Sequence, residues 1–288
     1  MIYKLLALNL DGTLLQDNGR INKVTREAIE FVRDKDVKII LTTSRNFPSA
    51  KRVAKSLKME DHIVAHHGAF IGKELDKPVF IKRIPEDLTN EIIGLLESFS
   101  CQIKVIHEQF MIGNKMSLPN HLRARVVFQK ANRLAYSEQY VDHLREELQD
   151  NPISPTMIEI LFEHKNDRAD AKKVFEELYD EIECIESSPF QLTIVPTKVS
   201  KLRSVQYLCE QHGIKREEVV AIGSDLDDLP LIKWAGLGVA MGNAPAEVRK
   251  AADWITRSYE DNGVAYMVKE HFRKQHRLTF LRNILEND

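Results

Sequence analysis

Several protein classes are excluded by what this chain lacks. Nowhere in its 288 residues does an uninterrupted apolar run approach the roughly 18 needed to span a bilayer, so no membrane-spanning helix is expected. Cysteine is scarce. Cys101, Cys184 and Cys209 are far apart and odd in number, and they supply neither a disulfide framework nor a metal-ligand cluster. A reducing, cytoplasmic home is expected. An excess of basic charge is also missing: 41 Lys and Arg stand against 43 Asp and Glu, a formal net charge of −2. A nucleic-acid partner, which selects for a strongly basic face, is therefore not expected. There is no internal repeat and no low-complexity linker. The opening run Met1 to Leu8 is apolar but has no small-residue cleavage site and leads straight into Asn9-Leu10-Asp11-Gly12, so it reads as a first core strand and not as a signal peptide. At roughly 150 residues per domain, the length fits two domains.

What is present alternates between strand and helix. Ile2 to Leu8 is nearly continuous in apolar residues, as a strand buried on both faces of a parallel sheet must be. Asn22 to Lys35 places Val24, Ala28, Ile29 and Val32 on one helical face. Val37 to Leu41, a helix through Val53 and Leu57, and strand Ile63 to Ala65 complete a β-α-β-α-β opening. From about Pro85 to Pro189 the rhythm is mixed: Gln102 to Glu108 and Thr156 to Phe162 predict strands, while Leu88 to Phe99, Glu138 to Leu148 and Asp167 to Tyr179 predict helices. Strand Phe190 to Val195 follows. The first rhythm then returns, with helix Lys201 to Gln211, strands Val219 to Ile222 and Leu237 to Ala240, helix Ala244 to Ala252 and a last strand, Trp254-Ile255. The pattern predicts a Rossmann-like, doubly wound α/β core split between 1–84 and 190–288, with an α+β domain inserted over 85–189.

Ligands of an open parallel sheet bind beyond the carboxyl ends of its strands, where the strand order reverses. Polar clusters stand at those ends: Asn9-Leu10-Asp11-Gly12-Thr13, Thr42-Thr43-Ser44-Arg45, Gly223-Ser224-Asp225-Leu226-Asp227-Asp228 and Met241-Gly242-Asn243-Ala244-Pro245. Lys201 opens a helix after a fifth, Pro196-Thr197-Lys198-Val199-Ser200. Hydroxyls, backbone N–H groups and a helix start suit phosphate, and grouped carboxylates suit a hard divalent cation. Together they point to phosphoryl chemistry.

On these residues the chain resembles the haloacid dehalogenase superfamily of phosphatases, in particular its Cof-type sugar-phosphatase branch with a large α+β cap. The family's Asp-x-Asp-Gly-Thr corresponds to Asn9 to Thr13, its Thr-Gly-Arg to Thr43-Ser44-Arg45, its lysine to Lys201 and its Gly-Asp-x-x-Asn-Asp to Gly223 to Asp228. Met241-Gly242-Asn243-Ala244 and Asn262-Gly263-Val264-Ala265 match its later motifs. The resemblance implies a small phosphorylated metabolite as ligand, gripped at its phosphate by Thr43, Ser44, Lys201 and Asn243 and touched by Arg45. It also implies Mg²⁺ held at positions 9, 11, 224 and 228.

The departures weigh on activity. The resemblance implies that the residue at position 9 attacks phosphorus and that Asp11 serves as acid and base, but position 9 holds Asn9, whose neutral amide is no substitute for a carboxylate nucleophile. The metal-ligand position 224 holds Ser224. Asp227 replaces an Asn and Asp225 is adjacent, so negative charge is moved rather than abolished, and both are candidate substitute ligands. The expectation is a phosphatase-like protein that binds a sugar or cofactor phosphate with Mg²⁺-dependent hydrolysis weak or lost. The alternative is a non-catalytic sensor or regulatory protein on the same fold. His66 and His67, neighbours on an expected strand, would point to opposite faces and make no metal pair, with His67 at the rim of the site. The tail beyond Val268 carries Phe272, Phe280, Leu281 and Leu285 among basic residues. It reads as a helix packed on the core, with docking on a partner or a second copy as the other reading.

Overall fold

A computed structural model describes residues 2–116 and 136–279. The chain opens with β1 (Leu5–Asn9), α1 (Lys23–Arg33), β2 (Lys38–Thr42), α2 (Phe47–Ser56), β3 (Ile63–Ala65) and β4 (Phe70–Glu74). It continues through β5 (Lys77–Ile81), α3 (Glu86–Leu96), β6 (Cys101–Ile106), β7 (Phe110–Asn114), β8 (Ser137–Val141), α4 (Leu144–Asp150), β9 (Met157–Phe162), α5 (Lys165–Leu178), β10 (Ile182–Ser188) and β11 (Gln191–Pro196). It ends with α6 (Lys201–His212), β12 (Val219–Gly223), α7 (Leu229–Trp234), β13 (Leu237–Ala240), α8 (Ala246–Ala251), β14 (Trp254–Ile255) and α9 (Gly263–His271). Among the described residues, no helix is long and apolar enough to cross a membrane.

Two compact units result. One gathers residues 2–45, 50–73 and 200–279; the other gathers Asn46–Ser49 with the described part of Glu74–Val199. In the first unit the strands lie in the order β14-β13-β12-β1-β2-β3-β4. All neighbours are parallel except β4, which runs antiparallel to β3. Every residue of β1 and β12 is buried, as their unbroken apolar sequences require of strands covered on both faces. The chain winds from β1 outward through β2 and β3, and then resumes on the other side of β1 with β12. The strand order therefore reverses between β1 and β12, whose Leu8 and Ile222 are register partners. Asn9 and Gly223 end these two strands side by side.

The second unit is a six-stranded sheet in the order β10-β11-β9-β6-β7-β8, antiparallel except between β7 and β8. Alternate residues Ile103 and Val105, Ile158 and Ile160, and Leu192 and Ile194 pack with Ile92, Ile93 and Leu96 of α3 and Phe175 of α5. This is the period of two that one buried sheet face demands.

The structure corrects the sequence reading in several places. Glu138 to Val141 belong to a strand, and the helix begins only at Leu144: an exposed edge segment is recruited by pairing with β7, which its own pattern does not announce. The sequence pattern does not announce strands β4, β5, β7 and β10. Residues 190–199 group with the inserted unit, because β11 pairs with β9 and β10 and not with the core sheet, and residues 74–84 fall in the same unit. His66 and His67 lie in a tight 3₁₀ turn, not on a strand.

The tail returns to the core. Phe272 is fully buried, and the Gln275 amide both accepts from the Tyr3 N–H (2.8 Å) and donates to the Tyr3 carbonyl (2.8 Å), a two-point clamp on the start of the chain. Leu278 N–H donates to the Lys35 carbonyl and the Thr279 hydroxyl to Asp36. Phe280, Leu281, Arg282 and Leu285 lie outside the described residues.

One glycine locks the connection that carries Lys201. Gly68 adopts φ +102°, and a Cβ there would come within 2.5 Å of the Ser200 carbonyl carbon and oxygen. The Ser204 hydroxyl also donates to the Gly68 carbonyl (3.0 Å). Gly68→Ala meets backbone on backbone in a left-handed conformation. It is expected to cost about 2–4 kcal/mol in urea unfolding, and an unchanged midpoint would contradict this packing.

Candidate functional site

The site is assembled from the two strand ends at the reversal point. After β1 the chain turns sharply: the N–H groups of Thr13, Leu14 and Leu15 all converge on the Leu10 carbonyl. Gly12 turns the chain at φ +65°, and a Cβ there would fall 2.7 Å from Ser224 Oγ, so only glycine brings the two loops together. After β12 a short 3₁₀ turn (Leu226–Asp228) folds the Asp228 side chain back, where its Oδ2 accepts from the N–H groups of Ser224 (2.9 Å) and Asp225 (3.0 Å). At the start of α6 the Ser200 side chain accepts from the Arg203 N–H (3.1 Å), capping the helix, and Lys201 turns inward.

Lys201 is the hub. Its side chain is 2% exposed, and its Nζ donates to Asp228 Oδ1 (2.7 Å) and Asp227 Oδ1 (2.9 Å), with Asn9 Oδ1 at 3.4 Å. Burial alone would pull the ammonium's pKa down; the two carboxylates more than reverse this and hold it above the ordinary lysine value. Asp227 Oδ2 accepts from His67 Nδ1 (3.0 Å), which carries the proton because a carboxylate only accepts. Burial opposes ionisation of Asp227, but Lys201 and the His67 hydrogen bond outweigh it and keep its pKa below the usual carboxylate range. Asp225 makes no ion pair among the described residues, and the pull of Lys201 on it is outweighed. Desolvation, and next to it the Asp228 charge, push its carboxyl up to about 6.

Asn9 occupies the centre. Its Nδ2 donates to Asp228 Oδ2 (2.9 Å) and to the Asp11 carbonyl (3.1 Å), while its Oδ1 accepts from the Leu10 N–H (2.8 Å). Two acceptor-only partners fix which end of the amide carries nitrogen. Ser224 Oγ donates to the same Asp11 carbonyl (3.0 Å) and accepts from the Thr13 hydroxyl (3.1 Å).

The residues fit a divalent cation poorly. Asp225, Asp227 and Asp228 bring carboxylate oxygens within 4.8 Å of one another, the one such group among the described residues. They have the charge for a cation, but only Asp225 has oxygens outside the network: both oxygens of Asp227 and both of Asp228 are committed to Lys201, His67, Asn9 and backbone N–H groups. At the positions the resemblance implies, Asn9 and Ser224 offer neutral groups that already donate to the third, the Asp11 carbonyl. Mg²⁺ keeps several waters and needs only one or two carboxylates from a protein, but at the implied position the groups present are neutral and already hydrogen-bonded to one another.

In the loop after β2, Thr43 Oγ1 accepts from the Arg45 N–H (3.1 Å). The Arg45 guanidinium forks onto Asp11, with Nε to Oδ2 at 2.7 Å and Nη2 to Oδ1 at 2.5 Å. The Ser44 N–H makes no hydrogen bond among the described residues. Asn243, expected at the phosphate, braces two loops: its Nδ2 donates to the Gly12 carbonyl (2.9 Å) and its Oδ1 accepts from the Tyr259 N–H (3.2 Å). His67, expected at the rim, is buried against Asp227, and both His66 and His67 hold positive φ values (51° and 54°). Nothing in the local sequence signals this placement, because it depends on a backbone conformation that histidine seldom adopts.

Comparison with known proteins bears on this arrangement. The model of a family described as haloacid dehalogenase-like hydrolase matches residues 6–268. The chain is 42% identical over 281 residues to the stress response protein YhaX of Bacillus subtilis, covering 98% of this chain and 97% of that one. It is 28% identical to the putative phosphatase YxeH of the same organism, over 93% of this chain and 98% of that one. A solved haloacid dehalogenase-like hydrolase from Bacteroides thetaiotaomicron superposes with a TM-score of 0.80 at 26% identity, covering 93% of this chain and 99% of that one.

Two stability measurements test the charge network. Lys201→Met leaves two buried carboxylates without their ammonium and is expected to cost about 3–5 kcal/mol near neutral pH. Because the lysine's pKa is raised on folding, its own contribution in the parent protein is lost only as pH rises beyond the ordinary lysine range. Asp225 has the same sign in the acid range. Its folded pKa of about 6 lies above the unfolded 3.8, so its contribution is present in acid and lost as pH rises through that interval. Asp225→Asn is therefore expected to melt above the parent at pH about 8 and to lose that advantage at pH about 4. An equal difference at both would refute the assignment.

Proposed function

The chain belongs to the haloacid dehalogenase-like hydrolases, and on that premise we propose that it holds a small phosphorylated metabolite, a sugar or cofactor phosphate, without cleaving it through an aspartyl-phosphate. The observation that carries this reading is the Asn9 amide. Its nitrogen is committed to Asp228 and the Asp11 carbonyl, and its oxygen to the Leu10 N–H. A neutral amide oxygen has little power to attack phosphorus. Removing the covalent nucleophile of a hydrolase costs on the order of 10⁶ in rate.

The remaining groups act by binding. This reading assigns the Ser44 N–H and the Thr43 hydroxyl to an anion's oxygens, together with the Arg45 guanidinium, which forks onto Asp11. A phosphate dianion, a stronger acceptor with three oxygens, competes with the Asp11 carboxylate for that fork. Ligand binding then frees Asp11 and changes the conformation of the loop after β1, which is how such a pocket reports occupancy. The Lys201 charge is more than balanced by Asp227 and Asp228, so the ligand's grip in this reading rests on the Ser44, Thr43 and Arg45 donors. A sensor or regulatory role follows from this reading, and the relative described as a putative phosphatase marks the chemistry from which it departs.

Two assays test the reading. Against a panel of phosphate monoesters with Mg²⁺ the protein is expected to be silent, while the double variant Asn9→Asp/Ser224→Asp gains measurable turnover; ordinary phosphatase rates in the parent would overturn the proposal. Thermal shift with the same panel is expected to single out a ligand class. A ligand at about 100 times its dissociation constant raises stability by about 2.7 kcal/mol. Arg45→Ala should abolish the shift, and a panel without any shift would remove the binding role.

A further inference from the structure

The unusual residues of this site are not scattered. Asn9, Ser224, Asp227 and His67 are joined in one continuous set of contacts through Lys201 and Asp228. Asn9 donates to Asp228 (2.9 Å), Asp228 accepts from the Ser224 N–H (2.9 Å), Lys201 joins Asp228 to Asp227 (2.7 and 2.9 Å), and Asp227 accepts from His67 (3.0 Å). We infer that this set is a rebuilt, cation-free centre, in which protons carried by Asn9 and Ser224 occupy the coordination directions a divalent cation would take.

The Asp11 carbonyl shows this most directly. A carbonyl oxygen has two lone pairs. Here Asn9 Nδ2 (3.1 Å) and Ser224 Oγ (3.0 Å) take both, so none is left for a metal. The charge is redistributed as well. Asn9 and Ser224 stand where the resemblance implies two carboxylates, so losing these together with a divalent cation cancels, while Asp227, where the resemblance implies Asn, adds one negative charge that lies against Lys201 (2.9 Å) and His67 (3.0 Å). Either reversion adds a further carboxylate to that centre. Asn9→Asp puts a carboxylate oxygen where an N–H now lies 2.9 Å from Asp228 Oδ2, and Ser224→Asp replaces the hydroxyl that donates to the Asp11 carbonyl. Together the two reversions recreate a centre that requires a cation for stability.

The inference deepens the proposed binding role, but its test uses the full-length protein and the metal alone, so failure to find a phosphorylated ligand leaves it standing. Melting is compared in EDTA, in MgCl₂ and in KCl of matched ionic strength. The parent is expected to melt within about 1 °C in all three. The double variant Asn9→Asp/Ser224→Asp is expected to melt lower in EDTA and to regain roughly 5 °C or more with Mg²⁺. A parent whose melting temperature climbs saturably with Mg²⁺ overturns the inference. So does a folded double variant indifferent to the metal. If the double variant fails to fold in any buffer, titration of Mn²⁺ into the parent, followed by the electron paramagnetic resonance of the free ion, decides the matter. An undiminished free signal is the expected result, and stoichiometric loss of that signal would refute the proposal.

Discussion

A buried ammonium is the constraint on which the rest of this site depends. Lys201 enters the interior from the first turn of α6, and removing it from water is tolerable only because Asp227 and Asp228 meet it there. Those carboxylates in turn need donors for their other oxygens. Asp228 finds them in the Ser224 and Asp225 N–H groups and in Asn9, and Asp227 finds one in His67. Each satisfied group thereby fixes the position of the next, and the network reaches across the two strand ends where the sheet order reverses.

The same logic explains the strained backbone. His66 and His67 take positive φ values and Gly68 reaches +102°, a cluster of uncommon conformations beside the helix start that carries Lys201. Such strain persists when surrounding structure over-determines it. Here the Gly68 carbonyl is held by Ser204, the His67 N–H by the Thr43 carbonyl, and the His67 ring by Asp227. The loop after β2 and the charge network are thus mechanically joined: Thr43 accepts from the Arg45 N–H and supports the turn that places His67.

Much of the core was legible in the sequence. The buried parallel strands β1, β12 and β13 announce themselves by apolar runs, and α1 by its apolar spacing. The inserted unit was less legible. Its edge strand β8 is mostly exposed and is defined by its partner β7, and β11 carries the same apolar pattern whichever sheet it joins. Periodicity reports burial of a face, not the identity of the neighbour that buries it.

Residue types and their order determined by themselves which groups stand at the strand ends, and therefore that position 9 has no carboxylate and position 224 no metal-binding acid. Chemistry that depends on what a side chain is can be read directly from the sequence. Only the tertiary structure decided what those groups do with one another: that Asn9 turns its nitrogen to Asp228, that Asn243 braces Gly12, that Arg45 forks onto Asp11, and that His67 closes on Asp227. Hydrogen bonds between residues far apart in the chain depend on distances of a few tenths of an ångström, which are set by packing and backbone conformation and leave no mark on local sequence.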